Sequence, residues 1–226
     1  MAIAALVALS LTACGLTDGD DPANGESFDP IATEIRSWEP CEVLEDLRPF
    51  VDFMGIEEWV ATKVGPEHPD SVGWSEANLD PDALNCAGGI DLGALDSMPR
   101  VGGLSVKIVP WEDDEKAATM YDDRMRFVEE RKGDVEDVRT ELSDPWDAGV
   151  LIASSAESGA TEYLGVLARD GRWLIEIDLS FTGEYFAQQG GDPDYPFTNG
   201  ELHQWLLETY LPSVNSAVND RLAEFE

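Results

Sequence analysis

The chain is poor in basic residues, in histidine and in cysteine, and each shortage excludes a class of function. Its 226 residues include 14 Lys and Arg against 47 Asp and Glu, so the formal net charge is −33, and they include two His and three Cys. A polyanion has no electrostatic attraction to nucleic acid or to an anionic membrane surface. Two histidines leave little room for metal sites or nucleophiles that depend on imidazole. We therefore expect no nucleic-acid partner, no metal and no other cofactor.

The chain is nevertheless apolar enough to fold. Hydrophobic residues make up 43% of it, with seven Trp and eight Phe, which is too much for a wholly disordered acidic chain. At this length the expectation is one domain with a substantial core.

The first residues predict export and a lipid anchor. Met1–Ala13 is an uncharged apolar run that is too short to span a bilayer but has the length of a signal peptide. It ends in Leu-Thr-Ala-Cys-Gly, which resembles the lipobox of bacterial lipoproteins. By that resemblance the signal is cleaved before Cys14, and the sulfur of Cys14 carries diacylglycerol that holds the protein on the extracytoplasmic side of the cell membrane. An ordinary signal peptide with an incidental cysteine is the alternative, and the missing basic residues before the run predict a start upstream of Met1.

A tether is expected between the lipid and the domain. The segment Gly15–Pro30 is rich in Gly, Asp and Pro, a composition typical of linkers, and its aspartates lack the order of a calcium-binding EF-hand loop. The predicted organisation is a signal peptide at 1–13, an acidic flexible tether at 14–36 and an extracytoplasmic domain at 37–226.

Two cysteines remain once Cys14 is assigned to lipid. In an exported chain, Cys41 and Cys86 most simply form a disulfide. A free thiol or a metal pair is the alternative, but the chain has no CxxC spacing and no His close to either cysteine in sequence.

Apolar spacing predicts three helical regions. The first runs from Val43 to Met54, is kinked or split by Pro49 and ends at Gly55. The second is Glu112–Lys132. A capping box at Thr198–Glu201 opens the third, which a proline at 212 interrupts.

Alternating patterns predict an antiparallel sheet. Strands are expected around 84–87, 104–109, 135–142, 149–153, 162–169 and 172–181. Asp170-Gly171 predicts a tight hairpin between the last two, and the final strand has one buried and one largely solvated face. Glycine pairs at 88–89, 102–103 and 190–191 are interpreted as turns. Because no βαβ units alternate, the fold class expected is α+β: a single domain with an antiparallel sheet packed by helices and one disulfide.

These features together resemble a known family. Pro40-Cys41-Glu42-Val43-Leu44 at a helix start, a second cysteine (Cys86) in a strand and the lipobox cysteine with its acidic tether are similar to the actinobacterial secreted lipoproteins of unknown function. The resemblance implies a small α+β fold with the two domain cysteines bridged, and it carries no catalytic residues. Val43-Leu44 departs from the family's usual Leu pair.

Residues suited to catalysis or binding are few. His68 lies in a proline-rich loop and His203 in the first turn of the last helix, and neither has a nucleophile or metal motif around it. Trp74 and Trp111 border loops, so we expect them either to pack or to line a binding surface. Glu112–Glu115, with Asp122 and Asp123, form an acidic helix face that is either solvated or a loose cation site.

The function expected is a non-catalytic binding or interaction module of the cell envelope, whose partner is an envelope protein or a small ligand. The alternatives from other classes are an envelope hydrolase that uses a carboxylate pair, since many acids are available, and an acidic cation-binding module.

Overall fold

Seven antiparallel strands form one sheet in the order β1-β2-β3-β7-β6-β5-β4. The structure, a computed structural model, describes residues 29–61, 68–70, 83–95, 98–130, 135–156, 159–183 and 195–225. The strands are β1 (Glu58–Trp59), β2 (Leu84–Leu95), β3 (Met98–Pro110), β4 (Val135–Glu141), β5 (Ala148–Ser155), β6 (Thr161–Asp170) and β7 (Trp173–Thr182).

Helices cover both faces of this sheet. They are α1 (Pro30–Arg36), α2 (Pro40–Val43), α3 (Arg48–Met54), α4 (Asp114–Glu130), α5 (Asn199–Trp205) and α6 (Leu211–Phe225). The main core lies between one sheet face and all the helices except α4. A smaller cluster, including Val109, Leu167 and Leu174, lies under α4 on the other face. The expected α+β class with an antiparallel sheet is confirmed.

The folded domain begins earlier than its predicted boundary at 37. Asp29 caps α1 by accepting hydrogen bonds from the amides of Ile31 and Ala32, and its carboxylate also pairs with Arg172 in the β6–β7 turn. Ala32 and Ile35 are fully buried. Residues 30–36, which the sequence assigns to the tether, therefore belong to the domain, because two apolar side chains one helical turn apart reach the core.

The predicted first helix is split, as expected, but not at Pro49. A 3₁₀ turn at Glu45–Leu47 separates α2 from α3, and all three of its residues have positive φ, from 52° to 56°. Pro49 instead occupies the first turn of α3, where its missing N–H costs nothing. Gly55 ends α3 in the left-handed conformation (φ 68°), as predicted.

The disulfide between Cys41 and Cys86 is confirmed and joins α2 to β2. Both cysteines are buried in the main core. The bridge closes a separation of 45 residues and fixes the start of the helical layer on the sheet.

Two of the three glycine pairs lie inside strands, so their interpretation as turns was wrong. Gly88 and Gly89 are in β2, and Gly89 pairs with Gly103 of β3. A Cβ at Gly88 would lie 2.5 Å from the ring of Trp59, and one at Gly102 would lie 2.1 Å from the carbonyl oxygen of Ser180. These glycines therefore admit close neighbours rather than reverse the chain. The pair at 190–191 lies outside the described residues.

The second face of β7 is less solvated than predicted. Leu174 is fully buried and Glu176 is 5% exposed, because α4 packs across β6 and β7. Glu176 pairs with Arg124 of α4 at 2.9 Å and with Lys107 of β3 at 3.6 Å. The carboxylate of Glu176, which indicated a solvent-exposed face in the sequence, is in fact buried and forms ion pairs.

The β6–β7 hairpin is confirmed, with its turn one residue later than predicted. Asp170 pairs with Trp173, so the two-residue loop is Gly171-Arg172. Gly171 has φ 53°, which explains the need for glycine at this position.

The C-terminal helices form one nearly continuous rod. The predicted capping box at Thr198 and Glu201 is present. A π turn at Leu206–Tyr210 links α5 to α6. The rod continues through Pro212, so the predicted interruption at this proline was wrong. Across the described ranges, no helix is both long enough and apolar enough to cross a bilayer.

Candidate functional site

An open groove lies between the end of α3 and the outer surface of α5. Its volume is about 340 Å³. It is lined by Phe53, Pro196, Phe197, Glu201, Gln204, Trp205, Glu208 and Thr209. We call it the aromatic groove, because three of its lining residues are aromatic.

The floor of the aromatic groove is a rigid set of rings. Phe53 and Trp205 are stacked with centroids 4.5 Å apart and planes at 12°. Phe197 lies 5.8 Å from Phe53, and Tyr210 supports Trp205 from below at 5.4 Å. Each such pair adds about 0.5–1.5 kcal/mol beyond its burial. The rings are thus held in place before anything binds, although Phe53 and Trp205 are only partly buried.

The backbone around the groove is fixed at both of its sides. On one side the positive φ of Gly55 turns the chain beneath Pro196, whose ring would lie 3.2 Å from a Cβ at Gly55. On the other, the Tyr195 hydroxyl donates to the carbonyl of Thr182, and the Arg100 guanidinium lies 4.7 Å above the Tyr195 ring. Phe197 packs on Phe181 at 5.9 Å. These contacts place the groove at the end of β7 remote from the β6–β7 turn.

The rim of the groove is acidic. Glu201 and Glu208 are both exposed, and none of the described residues that line the groove is basic. Hydrogen bonds from the backbone N–H and the hydroxyl of Thr198 lower the pKa of Glu201. Gln204 donates to Glu208 at 3.0 Å. The rim therefore presents two oriented negative charges at neutral pH.

The π turn forms one wall of the groove and carries a buried phenol. Tyr210 is 3% exposed, and within the described part of the chain its hydroxyl has no hydrogen-bond partner. Burial, with a smaller contribution from Glu45, raises its pKa, so the phenol is neutral. π turns are rare and are frequent at functional sites. Here the turn brings Glu208 and Thr209 to the groove while Tyr210 stays in the core.

Of the two predicted binding tryptophans, the structure describes Trp111, which does not line this groove. Trp111 follows β3 and packs against the cluster under α4, on the other face of the sheet, with the Arg124 guanidinium 6.0 Å from its ring. Trp74 and the predicted lipidation site Cys14 lie outside the described residues. The binding role of Trp74 and Trp111 stays a prediction.

The two histidines are not brought together. His68 is exposed in the short described stretch 68–70, and His203 is half-buried on α5. His203 lies beside the groove but is not part of its lining.

The acidic face at the start of α4 is occupied with structural contacts. The Asp113 carboxylate accepts from the amide of Lys116 at 2.6 Å, and Asp114 lies 3.5 Å from the guanidinium of Arg172. Among the residues that the structure describes, no three His, Cys, Asp or Glu side chains cluster as metal ligands would.

The aromatic groove was missed at the sequence level because its parts come from separate segments. Phe53 lies near the end of α3, Phe197 precedes α5, and Trp205 is the last residue of α5. One signal was available: Glu201 and Glu208, seven residues apart, flank Trp205 on one helix face, which is an acidic pair around an aromatic residue.

Comparison of the chain with protein-family models, with curated proteins and with solved structures finds no match. The resemblance to actinobacterial secreted lipoproteins therefore stays a prediction that depends on the motifs around Cys14, Cys41 and Cys86.

Proposed function

We propose that this protein is a lipid-anchored, non-catalytic binding module on the extracytoplasmic side of the cell membrane, and that the aromatic groove is its binding face. The observation that carries the proposal is the preformed stack of Phe53 and Trp205 at the floor of an acidic groove. Partly exposed aromatic rings whose positions are already fixed supply contact area at low entropic cost, which is the property of binding hot spots.

The groove's carboxylates favour binding over catalysis. Glu201 accepts two hydrogen bonds from Thr198 and Glu208 accepts one from Gln204. Both carboxylates are exposed and accept hydrogen bonds that stabilise the helix. A general acid instead needs a pKa that burial or a like charge has raised. The pKa of Glu201 is shifted in the opposite direction.

A lipid anchor accounts for attachment despite the negative charge. A chain of −33 is repelled by an anionic leaflet, whereas acyl chains contribute about 0.8 kcal/mol per buried CH₂. From Cys14 to Asp29, the first described residue, the chain spans at most roughly 50 Å when fully extended. Cys14→Ser is expected to move the protein from the membrane fraction to the soluble fraction. Retention of the variant in the membrane fraction would refute the anchor.

The binding face is tested by photo-crosslinking on intact host cells. A photoreactive residue replaces Gln204, which is exposed in the groove, or Lys116, which is exposed on α4 across the sheet. We expect a discrete adduct from position 204 that Glu208→Gln weakens, and none from position 116. Equal adducts from both positions, or none from position 204, would contradict the assignment of the groove as the binding face.

A further inference from the structure

We propose that the aromatic groove receives a proline-rich segment of a partner protein in the polyproline II conformation, with two basic residues three positions apart. This inference rests on the proposed function, because it names the occupant of the same groove. It follows from the ring geometry, from the spacing of the two rim carboxylates and from the charge of the chain.

The ring geometry fits proline. Phe53, Phe197 and Trp205 form the floor with Pro196 at one side, and Phe53 and Trp205 act as a single stacked unit. Aromatic-lined grooves are a recurring receptor for polyproline II segments, because the flat rings pack on pyrrolidine rings and the segment is extended before it binds. Because the groove is open, it would leave much of a drug-sized molecule in solvent, whereas such ligands are usually about 70–90% buried.

The acidic spacing fits the repeat of that helix. Glu201 and Glu208 are seven residues apart on one helical rod, which corresponds to ~10 Å along its axis. A polyproline II segment rises about 3.1 Å per residue with three residues per turn, so side chains at i and i+3 lie on one face about 9 Å apart. A β-strand would place the same two side chains on opposite faces. With basic residues at i and i+3, the threefold repeat therefore directs both basic groups to the two carboxylates, and the intervening prolines face the rings.

Charge selects the basic version of this segment. Both rim residues are acidic, no basic residue lines the groove in the part of the chain that the structure describes, and the chain as a whole carries −33. The hydrogen bonds that lower the pKa of Glu201 keep it ionised below neutral pH. An acidic proline-rich segment is repelled both by the rim carboxylates and by the net charge of the chain, and a neutral segment gains only the contacts with the rings.

The test uses three dye-labelled peptides and fluorescence anisotropy with the folded protein. The probe is Ac-PRPPRP-NH2. Its flexible analogue is Ac-GRGGRG-NH2, and its charge-reversed analogue is Ac-PEPPEP-NH2. We expect measurable binding of the probe that weakens with added salt, binding of the flexible analogue at least about tenfold weaker, and none of the charge-reversed peptide.

Variants place the site. Glu201→Gln keeps a residue type that capping boxes accept, and Glu208→Gln keeps the shape of the side chain. Each variant is expected to lower the affinity for the probe about 3- to 5-fold, which is the effect of one exposed ion pair. Phe53→Leu keeps an apolar side chain and should weaken binding without changing its salt dependence. Glu224→Gln, exposed near the end of α6, is the matched charge control and should change nothing.

The outcomes separate the two proposals. Equal affinity for the proline and glycine probes would overturn the polyproline II conformation, and an equal effect of Glu224→Gln and Glu208→Gln would show attraction to net charge alone. If the probe does not bind while position 204 still gives its adduct on cells, the occupant is wrong and the binding face stands. Loss of both results would refute the proposed function as well.

Discussion

Glu176→Gln tests whether the ion pairs under α4 hold the second face of the sheet. The carboxylate lies 2.9 Å from Arg124 and 3.6 Å from Lys107, and all three side chains are 12% exposed or less. At an effective dielectric constant of ~20 the closer pair alone has a gross attraction of about 6 kcal/mol. The amide variant removes the anion that Arg124 and Lys107 share, although Lys107 keeps Asp178 at 3.8 Å. Breaking such a buried pair costs about 3–5 kcal/mol. The melting temperature should fall by roughly 6–20 °C for a domain of this size.

The assays are thermal unfolding, which gives the melting temperature, and urea unfolding, which gives the free energy, both monitored by far-ultraviolet circular dichroism. Asp178→Asn is the matched control, because Asp178 also faces Lys107, at 3.8 Å, but its side chain is 37% exposed. This control should lose less than about 1 kcal/mol. If Glu176→Gln loses no more than the control, the carboxylate is not the anion that compensates these cations and the reasoning fails.

Three further perturbations follow from the fold. The double variant Cys41→Ala, Cys86→Ala should have a free energy of unfolding lower by about 4 kcal/mol, the value of the chain-entropy model for a 45-residue separation. Urea unfolding of the non-reduced wild type and variant measures this loss. A loss below about 1 kcal/mol would contradict that model. Gly102→Ala should lower the free energy of unfolding by at least about 1–3 kcal/mol, because its Cβ would lie 2.1 Å from a backbone oxygen. Gly165→Ala is the control and should be neutral or stabilising, because its Cβ would have an ordinary contact at 3.5 Å. Equal melting temperatures for the two variants would refute the close approach at Gly102. The pKa of Glu201 is lower in the folded protein, so the stabilisation that its charge provides is complete above the unfolded pKa and is lost as pH falls through the folded pKa. The melting-temperature difference between wild type and Glu201→Gln should therefore shrink from about pH 7 to about pH 3. A constant difference would show that the charge of Glu201 does not act through the cap.

Local signals in the sequence predicted the fold well where one short segment decides the outcome. The Thr198–Glu201 capping box, the stop at Gly55 and the hairpin after β6 each depend on a few adjacent residues with a specific backbone role. The pairing of Cys41 with Cys86 was predicted from the cysteine count and from the expectation of export, both of which come from the sequence alone.

The sequence failed where a distant segment supplies the missing partner. Gly88 was interpreted as part of a turn because the neighbouring sequence does not show that the Trp59 ring occupies the space where a Cβ would lie. Glu176 indicated solvent because its partners, Arg124 and Lys107, lie 52 and 69 positions away in the chain. The aromatic groove belongs to the same class, since Phe53 and Trp205 meet only after the helices have packed on the sheet.

The Asp29–Arg172 pair has a mechanical consequence. It fixes the point where the chain enters the domain at the β6–β7 turn, whereas Phe197 of the aromatic groove packs on Phe181 at the other end of β7. Ten residues of β7 separate the two points, which is roughly 30 Å of strand. If the proposed anchor and the proposed partner pull at these two points, the force runs parallel to β7 and loads its hydrogen bonds to β3 and β6 in shear. Those bonds then resist together rather than opening one after another.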